Sequence, residues 1–325
     1  MELPENILFE ILLNLDYSNI IEVGKSCPRF YRICRKAYLW SCKAELDFGI
    51  KSKELSLVPC HSNREKYKWI LDSDPTTGLI ESSKFGSLYL VKYFINKKPD
   101  MHLNQAIIQA CQHGHLDIVK FLVDLKVQFN FNDGLLCSIH SGHLGLIEFW
   151  VNKGANNFNQ AMIIAASYGH LDIIKLMISN GADEFNESMI TGSSYGHLNI
   201  VNLMLENGAN SFNQTMFQAA WRGYLDIVKL MISQGANDFN GGLWFGSLGG
   251  HLDIINLMLN QGADNYNISM ASAAYNGYFE VVKLLIEKGA NNFNEGIEYA
   301  SKGKHPEIID LLRELDSIHN FTKSG

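Results

Sequence analysis

Proline is scarce in this 325-residue chain, with six in all, so a proline-rich linker is excluded. Six cysteines (Cys27, Cys34, Cys42, Cys60, Cys111 and Cys137) form no Cys-x-x-Cys pair and read as free thiols of a reducing compartment. The irregular spacing of the first four makes a poor zinc set. Basic excess is missing too: 27 Lys and Arg stand against 34 Asp and Glu, a net charge of -7, which argues against nucleic-acid binding. No apolar run reaches the roughly 20 residues that a membrane helix needs. The run from Ile7 to Leu15 is short and carries Glu10, and the acidic start (Glu2, Glu5) lacks the basic opening of a secretory signal. There is no P-loop and no Gly-x-Gly-x-x-Gly after a strand-like run. What is present is 46% apolar residues, a globular composition, and length for about two domains at roughly 150 residues each.

An internal repeat organises most of the chain. The tetrad Gly-His-Leu-Asp, or a near variant, begins at Gly114, Gly142, Gly169, Gly196, Gly223, Gly250 and Gly277; the first step is 28 residues and the later ones are 27. Weaker copies open at Gly86 and around His305. A second ladder runs through Asn104, Asn132, Asn159, Asn186, Asn213, Asn240, Asn267 and Asn294, with Thr76 in the equivalent first place. From Asn132 onward the residue before each Asn is aromatic. Asn and Thr are strong helix N-caps, so the ladder predicts a helix start in every unit, with the aromatic as a staple.

Each unit thus reads as two helices. The first runs from the Asn to a Gly turn. The second opens near Leu171-Asp172, its acid at the positive end of the helix dipole, and stops at a glycine such as Gly181. One such pair cannot bury its apolar face alone, so the units must stack into an α-solenoid. Gly169 to Asp183 (Gly-His-Leu-Asp-Ile-Ile-Lys-Leu-Met-Ile-Ser-Asn-Gly-Ala-Asp), after the small pair Ala165-Ala166, resembles the second half of an ankyrin repeat. The resemblance covers about nine units over residues 75–315. The period is 27 rather than about 33, and the family's Thr-Pro-Leu-His start is missing. The shortfall lies where the family builds its β-hairpin, so reduced or absent hairpins are expected.

Residues 1–47 do not follow the repeat. Leu3-Pro4 precedes Ile7, Leu8, Ile11, Leu12 and Leu15, the spacing of an amphipathic helix with Pro at its start. Cys27-Pro28-Arg29-Phe30 and the terminal Leu39-Trp40 follow. This order resembles an F-box, which implies a three-helix module that docks on the Skp-type linker protein of a cullin–RING ubiquitin ligase. The contacts implied are Leu3, Pro4, Ile7, Leu8, Ile11 and Leu12, with Trp40 supporting the last helix. Residues 48–74 are expected to be a linker and capping helix, and 316–325 a tail.

Six histidines share one repeat position: His115, His143, His170, His197, His251 and His305. Stacked repeats would hold them roughly 10 Å apart, against zinc–nitrogen bonds of about 2.1 Å, so a turn histidine bonding backbone is the better reading. Counting from each Asn, positions +3 and +6 stay apolar or small and belong to the core. Positions +4, +5, +8 and +9 vary and project on one side. They supply Tyr168, Tyr195, Phe217, Trp221, Arg222, Trp244, Phe245 and Tyr275, a set rich in the residue types of binding hot spots. Some of these rings have a competing role, filling the space left by Gly241, Gly242, Gly246 and Gly249.

The expected molecule is all-α: an F-box, then an ankyrin-type solenoid of helix-pair repeats. It would be a monomeric, cytoplasmic, non-enzymatic adaptor without metal or cofactor. Its partners would be a Skp-type linker protein and a target protein on the concave first-helix face, with no nucleic acid and no membrane. The combination resembles F-box/ankyrin proteins encoded by giant DNA viruses of amoebae, which implies a substrate receptor for a host ligase. A binding scaffold or inhibitor with no ligase link stays open beside it.

Overall fold

The computed structural model describes residues 4–97 and 102–323, all of them helix or connecting turn, with no strand among the described residues. The chain divides into two compact units, Met1–Asn157 and Phe158–Gly325.

The first unit opens with α1 (Glu5–Leu13), α2 (Tyr17–Ser26), α3 (Pro28–Cys34) and α4 (Ala37–Phe48). Four helical segments stand where three were expected, because Cys27 is extended (φ -145, ψ 129) and Pro28 cannot continue α2; it takes the first position of α3 instead. Leu8 and Leu12 of α1 turn inward with Leu39, Trp40 and Ala44 of α4, all buried. The Trp40 indole N–H donates to the Cys34 carbonyl at 2.7 Å. Lys43, only 5% exposed, donates to the Leu13 carbonyl at 2.9 Å and to Asp47 at 2.8 Å, which ties the end of α1 to α4.

The expected linker is packed structure. Residues 48–74 form α5 (Ser52–Ser56) and α6 (Asn63–Asp72), the latter started by a Ser62–Glu65 capping box. From α6, Tyr67 lies 5.4 Å from Trp40 and 5.0 Å from Phe48, ring centre to ring centre, and its hydroxyl donates to Asp47. Burial first, and Asp47 second, push this phenol above its usual range. The Tyr89 hydroxyl then donates to the Phe48 carbonyl at 2.8 Å, and Ser87 donates to Glu54 at 2.8 Å. The N-terminal module and the first helix pair are therefore one continuous packing.

Three helix pairs complete this unit: α7 and α8 (Pro75–Phe85, Leu88–Lys97), α9 and α10 (Leu103–Gln112, Leu116–Asp124), α11 and α12 (Phe131–Ile139, Leu144–Lys153). The second unit holds six more. They are α13 and α14 (Phe158–Tyr168, Leu171–Ser179), α15 and α16 (Phe185–Ser194, Leu198–Glu206), α17 and α18 (Phe212–Arg222, Leu225–Ser233), α19 and α20 (Phe239–Gly249, Leu252–Asn260), α21 and α22 (Tyr266–Asn276, Phe279–Lys288), and α23 and α24 (Phe293–Gly303, Pro306–Lys323). The expected tail begins inside α24, whose Ile308 and Leu312 are buried. Positions +3 and +6 are core, as in Met162, Ala165, Met216 and Ala219, all at 0% exposure. From α12 to α22 the second helices end on a left-handed glycine: at Gly181 (φ 99), the Gly181 and Ala182 amides close back onto Ile178 and Met177 at 2.9 and 3.0 Å.

The Asn ladder does a different job from the expected cap. Each Asn is the second residue of its helix, and from Asn132 to Asn267 its side chain reaches the next connection. The Asn186 carbonyl oxygen accepts from the Asn210 and Ser211 amides at 2.7 and 3.0 Å, while its NH2 donates to Asn210 at 3.1 Å. Asn132, Asn159, Asn213, Asn240 and Asn267 accept in the same way from the two amides 24 and 25 residues ahead. A side-chain amide thus satisfies backbone donors that a hairpin ladder would otherwise pair. That is how the shorter repeat dispenses with strands.

Four of the six histidines behave as turn residues, while the buried Nε2 of His170 has no hydrogen-bond partner. His115, His197, His251 and His305 donate from Nε2 to the carbonyls of Lys84, Ser167, Trp221 and Tyr275, at 3.0, 3.3, 3.1 and 3.1 Å. Each bond reaches back to the preceding unit's first helix. No His, Cys, Asp and Glu cluster able to hold a metal occurs among the described residues.

Candidate functional site

Two surfaces carry the residues singled out above. On the N-terminal module Leu3 lies outside the described residues, and Pro4 is exposed at the start of α1. Ile7 and Ile11, 42% and 39% exposed, lie one turn apart and form the outward apolar face of that helix. Leu8, Leu12 and Trp40 were expected as contacts or support. They are interior residues, because α1 can bury only one stripe against α4 and these residues form it. They hold the face and do not line it.

The sequence reading missed a neighbouring stripe on α4. Tyr38 and Leu46 are 69% and 62% exposed with the half-buried Cys42 between them, at i, i+4 and i+8, and Phe9 of α1 stacks on Tyr38 at 5.5 Å. The signal was present: these positions interleave with the buried Leu39, Lys43 and Ala44. The Tyr38 phenol is held above its usual range by its hydrogen bond with Cys42 and by the Cys42, Glu10 and Glu45 charges. At the start of the helix Glu5 pairs with Lys36. That hydrogen bond and charge, with Arg32 and Arg29 nearby, hold its carboxyl below the usual range.

The second surface is the first-helix face of the second unit. Tyr168, Tyr195, Trp221, Arg222 and Tyr275 are exposed there. Phe217, Trp244 and Phe245 are half-buried, and their environment decides between the two roles open to them. Phe217 stacks on Phe245 at 5.2 Å and lies over Gly241, where an added Cβ would come within 2.5 Å of the ring. The Trp244 indole donates to the Ser272 hydroxyl at 2.6 Å. These three rings fill the grooves between α17, α19 and α21 and leave one flank to solvent. Gly249 serves a closer approach: a Cβ there would sit 2.1 Å from the Trp221 carbonyl.

One exposed ring was not foreseen. Tyr299 of α23 stands edge-on to Tyr275 at 6.4 Å with Lys302 over its face at 5.0 Å. It occupies the +5 position counted from Asn294, so the repeat register could have found it.

Comparison with known proteins bears on both surfaces. A family model for the F-box domain matches residues 1–42. The ankyrin-repeats model matches in three copies, over 53–133, 79–189 and 135–215, together just over half of the chain. No curated protein matches the chain. The helix pairs continue in the same geometry beyond 215, through α24. F-box domains generally bind Skp-type linker proteins and ankyrin repeats bind target proteins, and both are non-catalytic interaction modules. The chain belongs to the ankyrin-repeat family, carries an F-box domain ahead of its repeats, and is a protein-interaction adaptor.

Proposed function

We propose that the protein is a substrate receptor of a Skp–cullin–F-box ubiquitin ligase. The observation that carries this reading is the exposed Ile7–Ile11 face, an apolar strip on a helix whose opposite side is fixed to α4 within the F-box match. Leu3, Pro4, Ile7 and Ile11 would engage the linker protein, with Leu8, Leu12 and Trp40 holding the strip in shape. Tyr168, Tyr195, Trp221, Arg222 and Tyr275, backed by Phe217, Trp244 and Phe245, would take the target. The contribution to rate is proximity: a tethered target meets the ubiquitin-charged enzyme at high effective concentration, and partners do the chemistry. A cytoplasmic setting goes with the reading, and the resemblance to giant-virus proteins supports a host cell's ligase as the one engaged.

The test is a pull-down of a Skp-type linker protein with the intact chain and with Ile7→Asp/Ile11→Asp. Both substitutions sit at exposed positions, so the helical circular dichroism should be unchanged. Retention by the intact chain and loss by the variant is the expected result. An intact chain that retains no linker protein overturns the reading and leaves a scaffold or inhibitor without a ligase.

A further inference from the structure

The second unit is acidic, and its first-helix face is not. Residues 158–325 hold 9 Lys and Arg against 17 Asp and Glu, a net charge of -8. Of the unit's six first helices, the successive five α13, α15, α17, α19 and α21 nevertheless contain only two charged residues, Glu187 and Arg222, while the last, α23, adds Glu295, Glu298 and Lys302. The acids sit instead in the connections, such as Asp183, Asp238 and Asp264, and in the first turns of second helices, such as Asp172 and Asp226.

Arg222 is therefore the single cation on that stretch of the face. Its guanidinium lies over the Trp221 indole, 4.4 Å from the ring centre, and both residues are exposed. Among the described residues no carboxylate pairs with it, whereas Lys302 pairs with Glu298 at 2.7 Å and Lys283 with Glu280 at 3.7 Å. A guanidinium stacked on an indole keeps its rim of N–H donors free, and that fork fits a carboxylate in two parallel bonds. The stack also fixes the side chain, so little entropy is lost when a ligand is gripped. Phe217, Phe245 and Trp244 offer apolar flanks beside it on α17 and α19.

We infer that this face recognises a protein segment that carries one Asp or Glu beside apolar side chains, with the carboxylate held by Arg222 on its Trp221 platform. One cation in a field of net -8 supports one negative charge and opposes an acidic run or a dianionic phosphate. The inference rests on the target-binding role given above to the same face.

The experiment is a selection of random peptides displayed on phage against the full chain, repeated with Arg222→Glu and with Trp221→Ala/Tyr275→Ala. Peptides from the intact chain should share a single acid next to an aromatic or aliphatic residue, and those from Arg222→Glu should carry Lys or Arg in its place. Arg222→Ala should weaken a selected peptide about tenfold, and replacing that peptide's acid by its amide should add no further loss. Peptides that need Trp221 and Tyr275 but ignore Arg222 overturn this inference alone. Selection that is empty, or unchanged by Trp221→Ala/Tyr275→Ala, overturns the face itself and the inference with it.

Discussion

Lys43 shows what a single residue contributes here. A lysine is rarely this enclosed without partners, because removing the ammonium from water costs several kcal/mol. Its Leu13 and Asp47 bonds, with Tyr67 on the other Asp47 oxygen, make that burial tolerable and link α1, α4 and α6 through the Lys43–Asp47 pair. Truncating it to Ala strands the Asp47 charge and the Leu13 carbonyl. Since the Asp47 side chain keeps 26% of its exposure, the expected loss is about 2 kcal/mol, below the full penalty of a buried pair. Urea unfolding of Lys43→Ala, read by amide exchange in α1 and α4, checks this; a change under about 0.5 kcal/mol would show the pair to be ornamental. Nothing in the sequence marks Lys43 out. Its burial depends on where α6 lands, and no local pattern encodes that. Leu8 and Leu12 illustrate the converse, since the resemblance marked the whole Ile7–Leu12 group while geometry allows only half of it to face outward.

At the scale of the element, period and turns were legible because helix pairs impose them directly: 27 residues recur, a glycine closes most second helices, and an acid opens several of them, such as α14, α18 and α20. The Asn ladder was legible in position and not in role. A cap and an inter-repeat staple demand the same side chain, and the two differ only in which amides lie within reach. Asn186→Ala separates them. It removes two acceptances at the next connection and should cost about 1–3 kcal/mol in local stability. Amides 210 and 211 should exchange faster, with little change at the start of α15. Faster exchange confined to the first turn of α15 would restore the capping role. Tyr38 and Leu46 escaped notice for another reason: α4 carries apolar residues on its core side and on its exposed side, so the outer stripe does not stand out from the inner one.

At the scale of the molecule the repeats pack as neighbours, so damage should stay where it is made. Leu312 of α24 is fully buried and packs against Gly296 of α23. Leu312→Ala should cost about 2–4 kcal/mol, and exchange protection should fall in α23 and α24 while α15 and α16 keep theirs. Loss spread evenly over the second unit would show instead that it melts as one cooperative body. The F-box end follows another rule. Tyr67 ties α6 to the module, and Tyr89 and Ser87 tie the first helix pair to Phe48 and Glu54, through side chains found once each, whereas the later connections share the recurring Asn.

The Asn staple has a consequence for how such a chain can change. It grips backbone amides and asks nothing of the identity of the residues that bear them. The connection is therefore the same from unit to unit, and the side chains there can change without breaking it. The first-helix faces are matched instead: Phe217 needs Gly241 in the next unit and Trp244 needs Ser272 in the one after, so those units must travel together. A duplication or exchange that keeps such a run intact should preserve the joints, and one that cuts through it should not.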